Sequence, residues 1–147
     1  MKSLQPFFAP IFLSLLILTA CSNDDDAPQA EPTPEELLTE TGKWYIEYME
    51  NEIMDDCDKR TSYEFKGNTN TEIWYYTDDT SSDCQIAYTK TNNFEWLSDT
   101  QLRVLDDDYP YELTIKSISE TEMTADFYSI VNDETKEMVF DKNPGEG

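Results

Sequence analysis

From Lys43 onward, apolar and polar residues alternate along much of the chain. Thr61, Tyr63 and Phe65 are interleaved with Arg60, Ser62, Glu64 and Lys66. Tyr109, Tyr111, Leu113 and Ile115 are interleaved with Pro110, Glu112, Thr114 and Lys116, and Met123, Ala125 and Phe127 with Thr124, Asp126 and Tyr128. Successive side chains of a strand point to opposite faces, so this period of two predicts half-buried strands. Segments 73–76, 85–89, 94–97 and 102–105 read as further short strands, and 136–140 as a candidate last one. Polar punctuation at Gly67-Asn68, 77–82, Ser98-Asp99 and 119–121 falls about every ten residues. Short, evenly spaced strands with polar turns predict an all-β, antiparallel barrel or sandwich. Closure removes exposed edges, which favours an up-and-down β-barrel of about eight strands.

Ahead of the strands the period is helical and brief. Thr33 can cap a helix, Pro34 suits its first position, and Glu36 completes a capping box. Leu37 and Leu38 give this short N-terminal helix something to bury, and Gly42 is a natural stop. Two turns make a lid or plug, not a domain.

The first twenty residues are of another kind. Lys2 is the only charged residue among them, and residues 7–18 are almost wholly apolar. A positive start, a short apolar core and small residues before a cleavage point describe a signal peptide, here residues 1–20. The apolar core is shorter than the roughly 20 residues that span a bilayer, and Pro10 disfavours a permanent helix. Leu18-Thr19-Ala20-Cys21 resembles the lipobox of bacterial lipoproteins, in which the cysteine is cleaved free and lipidated. Lipidation at Cys21, with diacylglycerol and palmitate-like chains, implies a membrane anchor of the kind that needs more than one acyl chain. The plainer alternative is an ordinary secretory signal. Ser22-Asn23-Asp24-Asp25-Asp26 resembles the acidic surface-export signal of Bacteroidota lipoproteins, which implies an outer-membrane protein facing the medium; otherwise the patch merely solvates a periplasm-facing tether.

Charge then narrows the partners. Without residues 1–20 the chain keeps nine basic against 32 acidic residues, a net of −23. Nucleic acid is excluded as a partner, because its phosphates need Lys and Arg. Residues 21–33 read as an acidic flexible tether, 34–142 as one domain, and 143–147 as a loose tail. Trp44, Trp74, Trp96 and many Tyr and Phe residues give that domain a core.

With Cys21 assigned to lipid, Cys57 and Cys84 remain, and two cysteines outside the cytoplasm are expected to pair. They precede the second and fourth strands, so a disulfide would staple one end of the barrel. The alternative, a redox or metal pair, lacks a Cys-x-x-Cys spacing and any histidine.

The absence of histidine also removes the usual general base and excludes Ser-His-Asp and Cys-His catalysis. Carboxylate pairs alone could serve a hydrolase, but with so many acids the nomination of any pair carries little. Glu64, Glu95 and Glu112 are expected on the solvent face. Asp55-Asp56-Cys57-Asp58 and 106–108 lack the spacing and glycine of a calcium loop, so turn solvation is the simpler reading. No catalytic residue, metal site or cofactor is assigned, and the chain is read as a non-enzyme.

The order of short motifs is informative beyond this. Gly42-Lys43-Trp44-Tyr45-Ile46 is followed by Cys57-Asp58-Lys59-Arg60-Thr61, then by Cys84, and then by Tyr111-Glu112-Leu113-Thr114-Ile115 leading into Ile118-Ser119-Glu120-Thr121-Glu122-Met123. Over residues 36–130 this resembles the small lipocalin-like lipoproteins of flavobacteria and their relatives, and Gly42-Lys43-Trp44 matches the Gly-x-Trp of lipocalins. The segment 77–82 departs from that pattern in lacking glycine. The resemblance implies a lipocalin-like barrel outside the cytoplasm.

Trp44, Tyr63, Phe65, Trp96, Tyr109, Tyr111 and Phe127 are the expected inward aromatic residues. A barrel of about eight strands either fills its interior or leaves room for one small ligand. Two functions follow: binding of a small hydrophobic or amphiphilic molecule at an open end, or a filled barrel whose acidic outer face, with Trp74 and Tyr76, meets a protein partner in the envelope.

Overall fold

The structure, a computed structural model, describes residues 30–145. The expected signal peptide, the expected lipidation site Cys21 and most of the expected tether therefore lie outside the described residues. Helix α1 (Pro34–Glu40) is followed by eight strands: β1 (Lys43–Met49), β2 (Ser62–Lys66), β3 (Thr69–Thr77), β4 (Cys84–Ser98), β5 (Gln101–Leu105), β6 (Tyr111–Ile118), β7 (Glu122–Ser129) and β8 (Glu134–Asp141). Each strand pairs antiparallel with the next, and β8 pairs with β1, closing an up-and-down barrel. The predicted fold class is the observed one.

Helix α1 forms as its sequence dictates. Thr33 Oγ1 accepts from the Glu36 amide while the Glu36 carboxylate accepts from the Thr33 amide, a reciprocal cap. Gly42 then turns the chain at φ +83°, a conformation that costs side-chain-bearing residues most. Leu38 is completely buried under this helix, and its carbonyl accepts from the indole Nε1 of Trp44 at 3.2 Å. The helix plugs the end of the barrel where β2 turns into β3. Phe65, Phe94, Leu102, Leu113, Ile115, Met123, Ala125 and Phe140 pack this half solidly. Among the described residues every buried apolar one lies between Leu38 and Phe140, so the unit of residues 31–147 holds a core of its own.

Three strand expectations need correction. Segments 85–89 and 94–97 are not two strands but one, the 15-residue β4; the polar run 90–93 that separates them in sequence lies within it. Tyr109 is not on a strand: Pro110 precedes β6, and Tyr109 lies in the β5–β6 connection, 69% exposed. Trp74 is not on the outer face. It shares its side of β3 with the buried Asn70 and Glu72 and packs against the core. The register with β4 shifts between Trp74 and Tyr75, where Ala87 is left without a partner, and Tyr76 beyond it is exposed.

Cys57 and Cys84 are bonded, with their Cα atoms 5.4 Å apart. The bridge ties the β1–β2 connection to the first residue of β4. That tie has a clear use. β5 pairs only with residues 93–98 of β4, so among the described strands the first half of β4 has β3 as its only neighbour. Beyond β8, the Gly145 amide donates to the Lys59 carbonyl at 3.3 Å.

Candidate functional site

The end of the barrel opposite α1 is not filled. A chamber of about 350 Å³ there is walled by Tyr63, Glu72, Trp74, Tyr88, Tyr111 and Phe127, with Lys90, Asp106, Asp108 and Tyr109 at its rim. A second lobe of about 210 Å³ shares Tyr63, Trp74, Tyr109, Tyr111 and Phe127 and continues over Met49 and Met138 to Glu134 and Lys136. Both lobes open among the connections that follow β5 and β7. The barrel thus divides into a packed half and a hollow half.

Aromatic faces dominate the hollow half. Trp74 stacks on Tyr88 with centroids 6.0 Å apart, and Tyr63 meets Trp74 edge-on at 6.2 Å. Tyr111 and Phe127 lie 4.5 Å apart on the facing wall. Offset and edge-to-face pairs of this kind hold one another's rotamers and keep the wall preformed.

A polar cluster forms the wall between the two halves. Glu72 is 6% exposed. Its Oε1 accepts from Asn70 Nδ2 and from the Tyr111 hydroxyl, each at 2.8 Å, and its Oε2 accepts from Trp74 Nε1 at 3.2 Å. Asn70 Nδ2 also donates to the Tyr111 oxygen at 2.8 Å, while Asn70 Oδ1 has no partner among the described residues. Burial pushes the Glu72 carboxyl above its usual range, against the pull of the Tyr111 and Trp74 hydrogen bonds. Burial, with the Glu72 charge adding to it, drives the Tyr63 and Tyr111 hydroxyls well above theirs. Both phenols therefore stay neutral.

The rim is held by ion pairing. Lys90 Nζ lies 2.6 Å from Asp106 Oδ2 and 3.6 Å from Asp108. Asp106 also accepts from Asn92 Nδ2 and from the amides of Asp108 and Tyr109. Burial opposes its ionisation, yet these donors outweigh it and lower its pKa to about 2. This clamp joins the part of β4 that β5 does not pair to the β5–β6 connection.

The expected aromatic residues therefore divide. Tyr63, Tyr109, Tyr111 and Phe127 line the chamber. Trp44 and Phe65 are buried in the packed half, and Trp96 is half-buried beside α1, edge-on to Phe94 at 6.1 Å. Glu72, Trp74, Tyr88 and Lys90 were not among the expected residues. The missed signal was parity along β4: from Phe94 and Trp96, steps of two lead back to Lys90 and Tyr88 if 84–98 is a single strand.

The acidic clusters have protein partners. Asp55 accepts from the amides of Cys57 and Asp58 and from Thr77 Oγ1, so it caps a turn. Among the described residues no three His, Cys, Asp or Glu side chains converge as a metal site, and no helix is long and apolar enough to cross a membrane. Glu112, on the outer face, pairs with Arg103 at 2.6 Å.

A closed eight-stranded antiparallel barrel, plugged by a helix at one end and hollow and aromatic at the other, defines a lipocalin-like protein. The chain belongs to the lipocalin-like domain family, whose model matches residues 41–125. None of the curated proteins matches it. Among solved structures it is similar to bovine odorant-binding protein complexed with its natural ligand, at 19% identity and a TM-score of 0.46 over 80% of this chain and 78% of that one. The complex of the bovine protein with undecanal is similar at 20% identity and a TM-score of 0.45, covering 80% and 78%.

Proposed function

We propose that this protein is an envelope lipoprotein whose barrel binds one small hydrophobic or amphiphilic molecule in its hollow half. The observation that carries the reading is the unfilled chamber itself. The packed half shows that this sequence can fill a barrel, yet about 350 Å³ between Tyr63, Trp74, Tyr88, Tyr111 and Phe127 is left open. That is near the lower end of the range for small-molecule sites, which are mostly apolar with a few placed polar groups. Such a wall offers contact area and orientation but no nucleophile–base pair, so binding without turnover is the expected activity.

The test is a titration of residues 31–147 with N-phenyl-1-naphthylamine, a neutral dye whose emission rises in apolar surroundings. One saturable site, emptied by competing octanol, supports the reading. An unsaturable or absent response overturns it.

The address rests on the sequence. Lipidation at Cys21 anchors the barrel to the outer membrane, and Ser22 to Asp26 direct it to the cell surface, as in lipoproteins of the Bacteroidota. Incorporation of an alkyne-labelled palmitate, lost in Cys21→Ser, tests the anchor. Cleavage by protease added to intact cells tests the leaflet. Placement of Trp74 inside the wall leaves the alternative, an outer protein-binding face, with Tyr76 but without its tryptophan.

A further inference from the structure

The hollow end of the barrel is more acidic than the plugged end. The four connections at the hollow end (50–61, 78–83, 106–110 and 130–133) carry twelve acidic residues against Lys59 and Arg60. The three hairpin turns at the plugged end carry only Asp99 and Glu120, to which helix α1 adds Glu35, Glu36 and Glu40. A cleft rimmed by one sign of charge over low-dielectric walls concentrates ligands of the opposite sign.

The charge inside the chamber has the same sign. Glu72 is hydrogen-bonded by three neutral donors, Asn70, Tyr111 and Trp74, and by no cation. The cation nearest the wall, Lys90, is already engaged with Asp106 and Asp108. Oε1 of Glu72 accepts two hydrogen bonds but Oε2 only one, so the carboxylate of this chamber-lining residue keeps capacity for a further partner. Around it stand the rings of Tyr63, Trp74, Tyr88 and Tyr111. Ring faces attract cations through their quadrupole, and several together form the cage that recognises alkylammonium groups.

We infer that the chamber selects organic cations: amphiphiles whose ammonium head sits between Glu72 and the rings of Tyr63, Trp74 and Tyr88, with the tail along Phe127 toward Met49 and Met138. This rests on the ligand-binding reading above and names the ligand class. Desolvating Glu72 alone is costly; a bound cation supplies the counter-charge that the fold withholds. Burial raises the Glu72 pKa and the Asp106 charge adds to it, outweighing the Tyr111 and Trp74 hydrogen bonds and the smaller pull of Lys90.

The experiment compares three probes with the same tail, octyltrimethylammonium, octanol and octanoate, by calorimetry on residues 31–147. About 150 mM salt screens general attraction to the acidic surface. The expected order is ammonium, then alcohol, then carboxylate, with the first two about tenfold or more apart. Glu72→Gln should abolish that gap while octanol binding persists. Tyr88→Leu, at a position 46% exposed and so tolerant of change, should shrink the gap without unfolding the domain. Equal affinities for all three probes overturn the cation inference and leave the chamber reading standing. Tightest binding of octanoate overturns it in favour of Lys90 as an anchor. A gap that survives in both variants shows that surface charge, not the cage, makes the preference, and also overturns it. Failure of all three probes to bind removes the ligand-binding reading itself.

Discussion

Removing the Cys57–Cys84 bridge should loosen the hollow end of the barrel while leaving the packed end intact. The two cysteines are 27 residues apart, and closing a loop of that length is worth about 3.5 kcal/mol on the chain-entropy model. A domain of about 110 residues shifts its Tm by about 4 °C per kcal/mol. The double substitution Cys57→Ala/Cys84→Ala should therefore lower Tm by roughly 14 °C. Circular dichroism melts of residues 31–147 give that number. The location of the effect follows from the pairing pattern. The first half of β4 is paired only with β3 among the described strands, so the bridge and the Lys90–Asp106 clamp are what fix its other side. Amide exchange should speed up most across 50–61 and 78–92, beyond the general rise that lower global stability brings to β6 and β7, which pair along their full length. A Tm drop below about 3 °C, or loss of protection centred on β6 and β7, would refute the reasoning.

Leu38→Ala should cost about 3 kcal/mol, because Leu38 is fully buried between α1 and the barrel and the fixed helix cannot collapse into the void; chemical denaturation measures it. Tyr111→Phe removes a donor to Glu72 and an acceptor from Asn70 in a buried site, at a cost of about 2 kcal/mol. A double-mutant cycle with Asn70→Ala should show coupling, and additive losses would count against the cluster. Asp106 has a folded pKa of about 2, below its ordinary value. Its contribution to stability is thus present in full above about pH 4 and disappears as pH falls toward 2. Asp106→Asn should melt below the parent protein at pH 7 and together with it near pH 2, and a constant difference across that range contradicts the assignment.

The legible part of this fold was its regular part. The pairs Tyr63/Phe65, Leu113/Ile115 and Met123/Ala125 point inward because apolar residues at alternate positions must share the buried face. The packed half, the reciprocal helix cap and the disulfide could all be read from local patterns. The chamber could not, because a binding cavity breaks the rule that makes patterns legible. Along β3 the inward positions are Asn70, Glu72 and Trp74, whereas Ile73 and Tyr75 stand on the other side. A reading by hydrophobicity inverts that strand. Glu72 belongs inside only because Tyr111, from a strand on the far side of the barrel, brings it a hydroxyl. That contact spans 39 residues of sequence and leaves no local trace. Sites where local rules fail are where function is to be expected.

The central claim, a ligand chamber in the hollow half only, has a direct measurement in the three tryptophan indoles. Trp74 Nε1 donates to Glu72 in the chamber wall, Trp44 Nε1 donates to Leu38 under the plug, and Trp96 lies beside α1. Nitrogen-15 NMR of residues 31–147 titrated with octanol should move the Trp74 indole signal along a saturable curve while those of Trp44 and Trp96 stay fixed. A Trp74 signal that does not move up to the solubility limit, or three signals that move together, would contradict the account.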